Sequence, residues 1–128
     1  MVSKCLIYYS DGLLSGSLNQ KVHNYLRAVG LPIVGCNLKP VGLGEEIILD
    51  EPRGYKTMFK QILTALEACR GEVVYHVEHD VLYPKEHFDF TPPTKDKFYY
   101  DLNWWKVRED GLAVHWDAVQ VSGICYYR

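Results

Sequence analysis

The sequence predicts an α/β fold: one domain with a mainly parallel sheet flanked by helices. Three observations carry this. Short, continuous apolar runs alternate with stretches of helical periodicity over residues 4–80, the order that builds a layered parallel sheet. Glycines stand where these segments turn or stop, at Gly12, Gly30, Gly54 and Gly71, as chain punctuation requires. The chain has 128 residues, of which 48% are hydrophobic, enough for a single domain whose core needs no staple.

Residues 4–9 form the first predicted strand, continuously apolar after Lys4 as strands buried on both faces are. Ser10-Asp11-Gly12 is a turn at its carboxyl end. A helix starting within 15–17 and running to 29 would bury Leu18, Val22, Tyr25, Leu26 and Val29, which share one face. Gly30 stops it and Pro32 comes next. Residues 31–38 are a second strand, 39–44 a loop, 45–49 a short edge strand and 50–54 a turn. The strongest helical pattern spans 55–69: Met58, Ile62, Ala65, Leu66 and Cys69 make an apolar face, widened by Phe59 and Leu63. The next strand opens with Val73, Val74, Tyr75 and Val77, side chains that suit a buried strand. It ends in Glu78-His79-Asp80, and Pro84 interrupts any regular structure after it.

Beyond Pro84 the texture changes. Residues 87–94 read as loop and 98–108 as an aromatic strand. Asp110-Gly111 predicts a hairpin turn, with 112–116 as the return strand. Residues 119–128 add a further strand or close the chain as a tail. The change marks two parts of one domain, 1–128, since a stretch of about 44 residues makes a poor domain by itself.

The net charge of −2 and pI of about 6.2 argue against a general nucleic-acid binder, which would show a basic stripe; a local basic groove stays open. Cys5, Cys36, Cys69 and Cys125 have neither CxxC nor zinc-ligand spacing, so reduced thiols packed as small apolar groups are expected. No apolar run approaches the ~18 residues of a membrane span, and Met1-Val2-Ser3-Lys4 leads directly into a strand. A soluble, cytoplasmic protein with no membrane segment is therefore expected.

Open α/β sheets bind ligands beyond the carboxyl ends of their strands, and Glu78-His79-Asp80 falls at such an end. A divalent cation takes carboxylate oxygen, so the cluster is a candidate metal site. Two acids and a histidine capping a strand in solvent would read the same way.

With the cluster placed, the chain resembles the GT-A fold of nucleotide-sugar-dependent glycosyltransferases, in a very short form. The residues carrying the resemblance run in order over roughly 4–93: Tyr9-Ser10-Asp11, Arg53-Gly54, Lys60-Gln61, Ala65, Ala68, Gly71, and the strand ending at Asp80. Glu78-His79-Asp80 matches the family's acidic DxD motif with Glu in first place, and Lys60-Gln61 stands where many members have Arg-Asn. The resemblance implies a nucleotide-binding part at about 4–83 and an acceptor-side part at about 84–128. It implies Asp80 as a direct ligand of Mn²⁺ or Mg²⁺, and Glu78 on the ribose or a metal-bound water. It implies Tyr9, Ser10 and Asp11 at the nucleotide base, with Arg53, Lys60 and Gln61 as further donor contacts. His115 is the candidate for an additional metal ligand from the C-terminal part.

Chemistry supplies separate reasons. A cation bridging the donor phosphates stabilises the charge growing on the leaving nucleoside diphosphate. Guanidinium groups pair with planar anions. On an alternating strand Glu78 and Asp80 point to one side and His79 to the other. Ordinary alternatives stand beside these roles: a turn for Ser10, Asp11 and Arg53, a solvated helical face for Lys56 and Lys60, and a packed or hydrogen-bonded ring for His115. His76 lies deeper in the strand and reads as core.

A catalytic base is sought among Asp101, Asp110 and Asp117. Glu109-Asp110 is similar to the family's acid pair but falls in a hairpin turn, so none of the three is selected. Trp104, Trp105 and Trp116 would stack on an acceptor sugar or pack in the core.

The residues support two functions. One is a metal-dependent glycosyltransferase taking a nucleotide-diphosphate sugar, a UDP-sugar by preference, to an unknown acceptor. The other is a non-catalytic nucleotide-binding or assembly module on a degenerate GT-A scaffold, suggested by the short chain and the missing base. A partner protein, or a homo-oligomer completing the acceptor site, would blur the two.

Overall fold

Strand β1 (Lys4–Ser10) is the centre of the molecule in the computed structural model, which describes residues 1–128. It is followed by α1 (Ser17–Ala28), β2 (Ile33–Asn37), β3 (Glu45–Ile48), α2 (Tyr55–Ala68) and β4 (Val73–Glu78). Then come β5 (Tyr99–Tyr100), β6 (Trp105–Val107), β7 (Ala113–His115) and β8 (Ile124–Tyr127). Six strands form one sheet in the order β3-β2-β1-β4-β8-β5. The first four are parallel, and β8 runs antiparallel to both β4 and β5. The expected α/β fold with a mostly parallel sheet is present.

Alternation along β1 divides the core into two layers. Leu6 and Tyr8 pack with Val22 and Leu26 of α1, together with Tyr75 and Val77 of β4. Cys5, Ile7 and Tyr9 face the other way, against Ile62 and Ala65 of α2. Each enclosed large side chain contributes roughly 1.5–3 kcal/mol. Buried hydroxyls must be paired, and they are: Tyr8 Oη meets His23 Nε2 at 3.2 Å, and Tyr75 Oη donates to the Phe90 carbonyl. All four cysteines are buried free thiols. Lys4 Nζ donates to the carbonyl oxygens of Phe88, Asp89 and Phe90, tying the 3-10 turn Lys85–Phe88 to the start of β1.

Several expectations need correction. Leu18 and Tyr25 are exposed, not buried. His23 is drawn inward by Tyr8, which turns the buried stripe of α1 toward Val22, His23 and Leu26. On α2, Phe59 and Leu63 are exposed, while the polar Thr57 and Gln61 are buried. Their side chains find backbone carbonyls, Thr57 Oγ1 donating to Pro52 O at 2.6 Å. The aromatic stretch 98–108 is not one strand: β5 joins the main sheet, and β6 pairs with β7 in a separate hairpin. The Asp110-Gly111 turn forms as expected, with Gly111 at φ 87, a left-handed conformation that glycine adopts without strain. The last residues are a strand, β8, inserted beside β4.

One expected consequence of this core is acid lability. His76 is 5% exposed; its Nε2 meets Tyr126 Oη at 2.9 Å and its Nδ1 has no partner. Burial depresses its pKa to about 4. Between pH 6.5 and 4 the unfolded chain therefore binds a proton that the folded chain excludes. Stability held above pH 6.5 is lost as pH falls through that window, by about 3 kcal/mol for this shift. Urea melts at pH 7 and pH 4.5 should show the loss, and His76→Gln should remove most of it. An unchanged pH dependence in His76→Gln would assign the acid sensitivity to other groups.

Candidate functional site: the crevice between β1 and β4

The chain leaves β1 through α1, which packs on one face of the sheet, and reaches β4 through α2, which packs on the other. Neighbouring strands whose connections diverge in this way leave a crevice at their carboxyl ends. A cavity of about 520 Å³ opens there, within the size range of small-molecule sites.

Three segments meet in it. β1 brings Tyr9, Ser10 and Asp11, and the end of β4 brings Glu78, His79 and Asp80. The start of α2 brings Arg53, Gly54 and Tyr55, with Gln61 further along the helix. Tyr9 and Glu78 are register partners, and the Tyr9 hydroxyl donates to Glu78 Oε1 at 2.8 Å. Ser10 Oγ lies 2.6 Å from His79 Nδ1. Asp11 Oδ2 pairs with Arg53 Nε at 3.0 Å, and its Oδ1 accepts the Leu13 N–H at 3.0 Å. Seven of the expected residues thus converge: Tyr9, Ser10, Asp11, Arg53, Gln61, Glu78 and Asp80.

The route by which Asp80 arrives differs from the expected one. β4 ends at Glu78, and 79–80 is a turn, so strand alternation does not set the side on which Asp80 lies. The turn does, and His79 lines the crevice as well.

The start of α2 adds an electrostatic feature. The helix begins at Gly54 with no side-chain cap and no acidic residue in its first turn. Its unpaired first-turn N–H groups and the positive end of its dipole suit a bound anion. The same cavity is lined by two carboxylates, Glu78 and Asp80. Burial pushes the Glu78 carboxyl up; the Tyr9 hydroxyl partly offsets this, and neighbouring Asp80 raises it again. The site therefore pairs an uncapped helix end with two mutually repelling acids.

No group of three or more His, Cys, Asp or Glu side chains is arranged to hold a metal by itself. The donor set does suit a Mn²⁺ or Mg²⁺ ion shared with a ligand, since such ions are commonly held by one or two carboxylates together with substrate phosphates and water. Repulsion between Glu78 and Asp80 is what a divalent cation relieves.

Other expected residues lie elsewhere. Lys60 does not line the crevice; it pairs with Glu51. Gln61 does reach the crevice wall, but its Nε2 is committed to two buried carbonyls, Ser10 O at 2.9 Å and Cys36 O at 2.8 Å. His115 stands on the exposed hairpin, with Nε2 3.2 Å from Leu102 O. Asp110 pairs with Arg108 in the hairpin turn, and Asp117 is exposed. Asp101 pairs with His87 Nδ1 at 2.7 Å, in a different cavity.

Two contributors were not anticipated. Tyr55 lines the crevice and is 84% exposed, an aromatic surface at the helix start; a glycine-capped first turn is the signal that points to it. Tyr83 Oη accepts the Glu78 N–H at 3.1 Å and donates to Ser122 O at 2.7 Å, fixing the backbone of the acid motif. No helix is long and apolar enough to cross a membrane. Compared with protein-family models, curated proteins and solved structures, the chain matches none of them.

Proposed function

We propose that the crevice between β1 and β4 binds a nucleoside diphosphate together with a divalent cation, and that the protein is a metal-dependent glycosyltransferase using a UDP-sugar. One observation carries the reading: an uncapped helix N-terminus and two carboxylates line the same cavity at a switch point of the sheet. That combination suits a ligand with phosphates for the helix end and a cation for the acids.

In this reading Glu78 and Asp80 would hold the ion, and the first turn of α2 would bind the phosphates. Bound there, Mn²⁺ or Mg²⁺ would supply Lewis-acid stabilisation of the departing diphosphate. Tyr9 holds Glu78 in place through its hydroxyl. Arg53 is anchored by Nε to Asp11, leaving its terminal nitrogens for phosphate oxygen. The exposed ring of Tyr55 offers a stacking surface for a base.

A second reading has its own support. None of Asp101, Asp110 and Asp117 lines the crevice, so no carboxylate from the acceptor-side part stands where a base is needed. A nucleotide-binding or assembly module would need none.

Calorimetry of UDP with and without Mn²⁺, paired with an assay for UDP release from UDP-sugars, tests both. Binding that Mn²⁺ strengthens about tenfold or more, with UDP released, is the expected result. Binding without release from any donor would favour the module. Absence of binding would overturn the nucleotide reading altogether.

A further inference from the structure

A second cavity, of about 460 Å³, lies beside β4, β5 and β8 and shares no residue with the crevice. Its walls include the rings of Phe90, Tyr99 and Tyr100, and its polar groups are Glu86, His87 and Asp101. The His87 side chain is 6% exposed. Its Nδ1 lies 2.7 Å from Asp101 Oδ2, and its Nε2, also buried, has no partner. With Nδ1–H directed at a carboxylate, Nε2 is the ring nitrogen left open to a ligand.

Two carboxylates, Glu86 and Asp101, share the lining with it. Burial raises the Asp101 carboxyl, but the Asn103 N–H and His87 more than offset it and hold the group below the ordinary carboxylate range. Asp101 is therefore an anion at neutral pH. Glu86 is exposed, and no ion pair occupies its carboxylate. Lysine and arginine are absent from the lining. The Tyr75 and Tyr99 hydroxyls are already engaged, with Phe90 O and Thr94 Oγ1. The cavity thus offers two carboxylates and an unpartnered ring nitrogen among aromatic walls, and of its three tyrosines Tyr100 alone keeps a free hydroxyl.

We propose that this cavity binds a small organic ammonium ion with an aromatic or aliphatic body. Its N–H groups meet the acceptors, its charge offsets Asp101 and Glu86, and its body lies against the rings, whose faces attract cations. An anionic ligand would be repelled by both carboxylates. A neutral hydroxylated one would leave their charge uncompensated. The site is independent of the nucleotide reading, because it lies in a separate cavity.

The test is an amide-resolved NMR titration of the full chain with 2-phenylethylamine hydrochloride and, in parallel, with the uncharged 2-phenylethanol. The amine should give saturable shifts at Tyr99, Tyr100, Leu102 and Gly123, with the alcohol about tenfold weaker. UDP should not compete. Asp101→Asn and Glu86→Gln should each weaken the amine about three- to tenfold. Asp101→Asn also removes the partner of His87, so Glu86→Gln, on an exposed side chain, carries the test without risk to the fold. Equal affinity for amine and alcohol, an unchanged affinity in Glu86→Gln, or an absence of shifts at these amides would overturn the proposal.

Discussion

Asp80→Ala is expected to remove the Mn²⁺-dependent part of UDP binding, a loss of about a hundredfold in the presence of the metal. Loss of a partner behind a metal ligand already costs about 10–100-fold, and Asp80 is proposed as a ligand itself. The fold should not notice. Asp80 is exposed, lies in the turn after β4, and surface substitutions of this kind usually stay within about 0.5 kcal/mol. Calorimetry and a thermal melt on the same sample separate the two effects. Unchanged UDP affinity with Mn²⁺ present would move the donor site away from this strand end. The pH dependence has a defined sign. Burial and Asp80 hold the Glu78 carboxyl above its ordinary range, and a proton there competes with the cation. Metal-assisted binding should therefore strengthen as pH rises through the raised Glu78 titration, and removing Asp80 should relax that titration downward.

Gln61→Leu is expected to lower stability by about 2–3 kcal/mol, from two lost hydrogen bonds and two carbonyls left less well paired in the interior. The Gln61 amide bridges Ser10 O and Cys36 O, so it clamps the carboxyl ends of β1 and β2 beneath the crevice. Ser10 O also accepts the Leu38 N–H at 3.1 Å, which keeps the cost below that of a fully orphaned carbonyl. Lys60→Ala, at the adjacent position, is the control. Lys60 forms a surface pair with Glu51, worth at most about 1 kcal/mol, and it does not line the crevice. Urea denaturation of both variants reads the difference directly. Equal stability for the two would show that the bridging amide is dispensable. The resemblance treats Lys60 and Gln61 as one donor-contact pair; packing assigns one to solvent and the other to the interior.

The sequence by itself determined the α/β class, both helices, the three strands β1, β2 and β4, and the edge strand β3. These rest on local periodicity and on glycine punctuation, which are readable without knowing what packs where. It also marked the acid motif and the Tyr9–Asp11 turn, because residues at strand ends of a parallel sheet must gather at one edge. The tertiary structure decided the rest. His23 and Gln61 are polar yet buried, since Tyr8 and two strand-end carbonyls supply their partners; no pattern of hydrophobicity encodes that. The placement of β8 beside β4 depends on long-range pairing that a short apolar run does not specify. The pairing of Asp101 with His87 is likewise invisible in sequence, because the two stand 14 positions apart across a mostly irregular stretch. For Asp80, sequence supplied the residue and tertiary structure supplied the reason: a turn, not strand alternation, carries its carboxylate to the crevice.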